Sequence, residues 1–176
     1  MDLENKKEAA RKKSLGELGE LFALKALVDQ KFDKIRNLND NTMNETFADI
    51  EGEKDGIKYV ISVKARNKYQ KNGKLNTRYN LGHDVYEKAR NAEIKYNGSA
   101  HWMAVQFDHT TFSIFFGSLK SLNGSRAIPV DKCEKGIIGE TWVFRKRHYF
   151  DFEFYSNQEK IKLNSTDLNS FNTLNI

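Results

Sequence analysis

Three polar residues stand where apolar neighbours would be expected, and their types suit metal-assisted hydrolysis. Glu20 shares a helical stripe with Leu24 and Leu27, at its i+4 and i+7 positions. Glu17 stands in the same relation to Leu21 and Leu24, so spacing does not choose between the two acids. A carboxylate on an apolar stripe is costly unless a cation satisfies it. Asp49 falls inside the strand-like segment TFADI, a setting that disfavours aspartate. Lys64 ends a strongly apolar segment, on the same strand face as Ser62. Each residue also has a plain structural reading: a half-exposed helix glutamate, a strand-end aspartate facing water, a lysine snorkelling from a strand end. Taken together they have a chemical logic. A helix supplies one acid, one arm of a hairpin supplies another, and the partner arm supplies an amine. Carboxylate oxygens with open water positions suit Mg²⁺ or a similar hard cation. Such a cation binds a scissile phosphate, polarises it and lowers the pKa of an attacking water. The lysine would orient or deprotonate that water, or stabilise charge on the phosphorane.

A nuclease also needs cations for the phosphate backbone. Arg66, Lys68, Lys71, Lys74 and Arg78 come after the lysine-bearing strand, interleaved with Tyr69 and Tyr79, on which bases could stack. Arg145, Lys146, Arg147 and His148 make a second basic cluster at a hairpin tip, which reads more readily as a charged turn that blunts the hairpin. The 29 Lys and Arg exceed the 24 Asp and Glu, for a formal charge of +5, a mild preference for a polyanionic partner. Other chemistries lack their signatures. The four histidines show no HExxH pattern, and Cys133 is the sole cysteine, so zinc is not expected and no internal disulfide can form. No nucleophile elbow, phosphate loop or dinucleotide fingerprint is present. No apolar run approaches a membrane span, and no apolar stretch comes after the charged start MDLENKKEAARKK, so the expectation is a cytoplasmic protein with no membrane partner.

The elements that must position these groups can be read from periodicity. Ser14 and Glu17 form a capping box, which predicts a largely buried helix from there to about Gln30, after a charged lead-in over 1–13. Phe32, Ile35 and Leu38 suggest a short strand, and a polar loop begins at Asn39. TFADIEG and GIKYVISVKAR read as a hairpin across Asp55-Gly56, with Ile57, Tyr59, Ile61, Val63 and Ala65 on one face. Residues 67–82 read as a long mobile loop, and His83–Tyr96 as a helix. HWMAVQFD and TFSIFFGSL read as strands, and 120–140 as irregular. TWVF and HYFDFEFY read as a second hairpin. Trp102 and Trp142 read as core. A single domain over 1–155 is expected, with a polar tail over 156–176 that carries at most a short helix near Asp167–Leu174. Strand blocks separated by helices predict one mixed sheet flanked by helices.

These residues resemble the PD-(D/E)XK nuclease superfamily, which includes restriction endonucleases, archaeal Holliday-junction resolvases and many repair and phage nucleases. The resemblance covers about residues 14–116. The family's Gly-x-x-x-Glu helix pattern matches Gly16 to Glu20 and favours Glu20 over Glu17; its metal-binding aspartate matches Asp49. Its (D/E)-x-K strand matches Ser62-Val63-Lys64, and Arg66 is similar to the basic residue of an extended VKxR form. The resemblance implies an α/β restriction-endonuclease-like core in the order αβββαβ, with an additional C-terminal β-hairpin here. It further implies that Asp49, Glu20 and the backbone carbonyl of Val63 hold Mg²⁺ or Mn²⁺, that Ser62 contributes directly or through water, and that Lys64 serves the attacking water. Ser62 is a departure, because a neutral hydroxyl replaces the family's second acid. The implied activity is metal-dependent hydrolysis of phosphodiester bonds, in DNA rather than RNA by family habit, with endonuclease action favoured. A homodimer would suit cutting of two strands. The alternative is a catalytically inactive DNA-binding or assembly module of the same fold.

Overall fold

The computed structural model describes residues 3–39, 47–108, 111–135, 142–146, 152–156 and 159–163. Helix α1 spans Leu3–Asp29. It begins well before Ser14, which lies inside the helix and caps nothing. The segment ENKKEAARKK is as good a helix former as the residues after it. Glu8–Arg11, Glu8–Lys12 and Lys13–Glu17 pairs at i,i+3 and i,i+4 knit the turns together. The helix ends in a Schellman closure: Phe32 N–H donates to Leu27 O and Lys31 N–H to Val28 O, with Lys31 left-handed at φ 60°. Only one face of α1 is buried, through Phe22, Ala23, Ala26 and Leu27, while Leu21 and Val28 are 63% and 62% exposed.

Strands β1 (Asp33–Asn37), β2 (Ile50–Lys54) and β3 (Ile57–Asn67) come next. The predicted β2–β3 hairpin forms, and its two-residue turn places Asp55 and Gly56 at φ 52° and 75°, the left-handed pair that a type I′ turn needs. After the short strand β4 (Arg78–Asn80) comes α2 (Val85–Tyr96), then β5 (Ser99–Phe107) and β6 (Phe112–Ser118). A 3₁₀ turn (Leu119–Leu122), β7 (Ala127–Pro129) and α3 (Val130–Glu134) give order to much of the stretch expected to be irregular. β8 (Trp142–Lys146), β9 (Phe152–Ser156) and β10 (Glu159–Leu163) complete the described chain.

Six strands form one mixed sheet in the order β1-β2-β3-β5-β6-β8. β3 is antiparallel to β2 and parallel to β5, with α2 making the crossover. This is the flanked mixed sheet, in αβββαβ order, that the sequence leads one to expect, with the three-residue β4 inserted before α2. The alternation predicted along β3 also holds. Ile61, Val63 and Ala65 face α1 in one core, and Val60 faces α2 in the other with Trp102 and Phe115. Burying side chains such as Leu27 or Phe115 stabilises by roughly 1.5–3 kcal/mol each. Trp102 is fully buried and donates its indole N–H to Ser118 O, so it is core.

The second predicted hairpin is a correction. β8 pairs with β6, Ile114 opposite Phe144, and β9 pairs instead with β10. An edge as long as β6 leaves a row of backbone groups to satisfy, and β8 satisfies them better as a sixth strand than as half of a separate ribbon. The additional C-terminal hairpin is therefore β9–β10, and β10 lies in the segment expected as a polar tail. The short helix expected near Asp167–Leu174, and most of the loop after Asn39, fall outside the described residues. Residues 67–82 are also more ordered than a mobile loop: Tyr69 bridges Leu75, and β4 pairs with β7. No helix among the described residues is long and apolar enough to cross a membrane.

Candidate active site

The regular β2–β3 ladder ends at Ile50 opposite Ile61, and the alternation breaks there. In an unbroken strand Ala48 and Ile50 would share a face, yet Ala48 lies in the α2-side core and Ile50 in the α1-side core. Asp49 N–H donates to Ile61 O at 2.9 Å although Ile50 is the partner of Ile61. Two residues of one strand thus oppose one of the other, as in a β-bulge. Asp49 therefore precedes β2 rather than sitting within a strand, and its carboxylate turns toward the backbone of β3. Its Oδ2 accepts Val63 N–H at 2.6 Å and the Ser62 hydroxyl at 3.5 Å. Val63 N–H, past the last β2 partner, takes a carboxylate in place of a ladder carbonyl.

Glu20 reaches the same point from α1. A Cβ on Gly19 would overlap the Ala65 side chain on β3, whereas one on Gly16 would meet nothing within 4 Å. The glycine that allows the close helix–strand crossing is therefore Gly19, not the Gly16 of the matched pattern. The crossing leaves Glu20 half-buried, with Oε1 accepting Asn39 Nδ2–H at 3.2 Å. The same nitrogen donates to Asp49 Oδ1, also at 3.2 Å. One amide thus joins two carboxylates from elements far apart in sequence. Burial pushes the Glu20 carboxyl above the usual range, hydrogen bonds from Asn39 and Asn37 oppose this, and the nearby charge of Asp49 adds to the rise. Glu17 is exposed and pairs with Lys13 at 3.8 Å, so Glu20 is the acid that the fold brings to Asp49.

Asn37 and Asn39 have no place in the sequence-based site. Asn39 N–H donates to Asn37 Oδ1 at 2.9 Å, an Asx turn at the end of β1. The N-x-N spacing signals that turn and nothing more. Lys64 is half-buried on the same face of β3 as Ser62, which places its stem about 7 Å along the strand. Its backbone belongs to the β3–β5 ladder, and among the described residues its ammonium makes no hydrogen bond or ion pair. Ser62 is buried and held by Asp49.

The basic candidates separate into committed and open groups. Lys68 is 24% exposed and lies 3.3 Å from Asp108 and 4.0 Å from Glu134. Lys71 is 3.1 Å from Glu8, which also holds Arg11 at 2.7 Å. Hydrogen bonds from Arg11 and then Lys71 pull the Glu8 carboxyl down to about 2. The Arg66 guanidinium donates to Ala65 O at 2.8 Å. Lys74 and Arg78 are exposed, and among the described residues their side chains meet no partner. Tyr79, expected as a stacking platform, is 1% exposed, and burial raises its hydroxyl pKa. It is a core residue, because β4 pairs with β7 and turns it inward. Tyr69 remains exposed. Arg145 and Lys146 end β8, while Arg147 and His148 fall outside the described residues.

Oxygen donors converging from Glu20 and Asp49, near the strand backbone at Val63, are of the kind that could hold a hard cation. No group of three or more His, Cys, Asp and Glu side chains able to hold a metal occurs among the described residues. Neutral oxygens would therefore have to complete the set, since position 62 offers a hydroxyl and not a carboxylate.

No protein-family model and no curated protein matches the sequence. Among solved structures the chain is similar to Hjc, a Holliday junction resolvase from the archaeal hyperthermophile Archaeoglobus fulgidus. The identity is 16% and the TM-score 0.49, and the match covers 66% of this chain and 89% of that one.

Proposed function

We propose that this protein is a divalent-metal-dependent nuclease that hydrolyses phosphodiester bonds in DNA, acting as an endonuclease. The observation that carries this reading is the meeting of Glu20 and Asp49 on one hydrogen-bond donor, beside the strand that bears Ser62 and Lys64. Two half-buried carboxylates seldom approach so closely without a cationic task, because like charges repel where little water separates them. Glu20, Asp49 and the Val63 carbonyl are the proposed holders of Mg²⁺ or Mn²⁺, which when bound would supply a Lewis acid for the phosphate and a water of lowered pKa. The Val63 N–H fixes the orientation of the Asp49 carboxylate, so little ordering remains to be done when substrate arrives. Lys64 extends from the Ser62 face of β3, where its ammonium would orient the attacking water or meet charge developing on the phosphate. Lys74 and Arg78 are the cations available to the backbone of DNA, with Arg66 nearer the site.

The test is cleavage of circular single-stranded and supercoiled double-stranded DNA with Mg²⁺ or Mn²⁺. Lys64→Ala should lower the rate by on the order of 10²-fold or more and leave the thermal midpoint unchanged. Full activity in that variant would refute the assignment. A second reading, an inactive DNA-binding or assembly module, draws on Ser62. Calorimetry showing no uptake of either ion, with DNA affinity intact, would favour it.

A further inference from the structure

We infer that Asn39 is a ligand of the cation, supplying the neutral oxygen that makes up for Ser62; this rests on the proposed metal site. The reasoning starts from what an amide can offer. It has two donors on nitrogen and one acceptor oxygen, at opposite edges of one small planar group. Asn39 Nδ2 lies 3.2 Å from Glu20 Oε1 and 3.2 Å from Asp49 Oδ1. A nitrogen at that distance from two carboxylates stands where positive charge is most stabilised. A cation entering between the same oxygens would repel the N–H edge and attract the carbonyl edge. Asparagine carbonyls are ordinary ligands of hard cations, and turning the amide over needs rotation about one terminal side-chain bond, whose energy profile is broad.

The backbone is already arranged for this. Asn39 N–H is tied to Asn37 Oδ1 at 2.9 Å, and the neighbouring residue, Leu38, donates its N–H to Asp49 O at 2.9 Å. Asn39 is thus anchored to the residue whose carboxylate it contacts. Asn37 also favours the ionised form of Glu20, though less than Asn39 does. The β1 end is therefore part of the site, although the two carboxylates come from α1 and the start of β2. Without the ion, Asn39 holds the acids together as a donor; with it, the same side chain completes the donor set.

Mn²⁺ binding to the full chain, by calorimetry and by loss of the free-ion paramagnetic resonance signal, tests the inference without any reference to cleavage. Asn39→Ala should weaken Mn²⁺ by on the order of 10-fold or more. Asn39→Asp should tighten it, because a third carboxylate raises the ligand charge, and should lower the metal-free thermal midpoint in EDTA while restoring it with Mn²⁺. A residue that merely shaped the turn would weaken binding under both substitutions. If wild type binds Mn²⁺, Asp49→Asn loses it, and Asn39→Asp fails to tighten it, the inference about Asn39 is wrong and the metal site stands. If wild type takes up no Mn²⁺, or Asp49→Asn binds it as well as wild type, the metal site itself is wrong and the inference falls with it.

Discussion

Substituting Gly19 by alanine should be destabilising, although alanine is the better helix former. In an exposed helix interior, glycine to alanine gains roughly 0.5–1 kcal/mol. Gly16 is half-buried, but a Cβ there would touch nothing within 4 Å, so Gly16→Ala should stabilise by about that amount. At Gly19 the new methyl would overlap the Ala65 side chain and approach its Cα at 3.6 Å. Ala65 has no rotamer to adopt, so α1 or β3 must shift. Forced overpacking of this sort costs about 1–3 kcal/mol, which after the propensity gain leaves a net loss centred on roughly 1 kcal/mol. For a chain of this size that lowers the thermal midpoint by about 2–4 °C. Urea denaturation in EDTA measures the stability. Ala65→Gly in the Gly19→Ala background should restore part of it, giving a coupling of on the order of 1 kcal/mol in a double-mutant cycle. The functional consequence comes from adjacency. Moving α1 off β3 carries Glu20 away from Asp49, so Mn²⁺ affinity should fall in Gly19→Ala even where the protein remains folded. A Gly19→Ala variant as stable as Gly16→Ala would refute the claim that this crossing sets the site.

Glu20→Gln should stabilise the metal-free protein at neutral pH. Its carboxyl is held above the ordinary value, so the folded state binds the proton more tightly. The stability that this provides is full below the unfolded pKa and lost as pH rises through the folded one. The advantage of Gln should therefore shrink toward zero as pH falls below the ordinary glutamate range; midpoints measured in EDTA at acid and neutral pH check this, and a pH-independent difference would contradict it. Lys74→Ala and Arg78→Ala should each reduce the slope of log affinity for DNA against log salt by about one. Lys68→Ala should leave that slope alone and lower stability instead, because its ammonium already serves Asp108 and Glu134. Cys133 is buried and its thiol is pushed up to about 12, chiefly by burial, so alkylation should proceed only at the rate of unfolding. Rapid labelling of the native protein would show that Cys133, on the inner side of α3, is not sealed in the core on the α2 side of the sheet.

Much of this molecule was legible in its amino acids because local rules act over short distances. Alternation along Ile57–Ala65 assigned the two faces of β3 correctly, since a strand's side chains must alternate whatever surrounds it. Asp55-Gly56 specified its turn because the required φ values suit those residues. The order of helices and strands, and with it the mixed sheet, came from the same periodicities. Other features depended on partners distant in sequence. Ser14 looked like a helix start, but capping competes with the propensity of the segment before it, and i,i+4 pairs carried the helix through. Where β8 paired was decided by which edge needed hydrogen bonds, a property of the assembled sheet. Tyr79 and Lys68 looked available for DNA until β7, Asp108 and Glu134 arrived beside them. The apolar pattern could nominate Glu17, Glu20, Asp49 and Lys64, since an ionisable group there is conspicuous in one dimension; the family resemblance chose Glu20 and added Ser62. Choosing Gly19 over Gly16, and recruiting Asn39 to the two acids, required the closeness of α1, β1 and β3. Those contacts are made only once two hydrophobic cores have pressed helices onto both faces of one sheet.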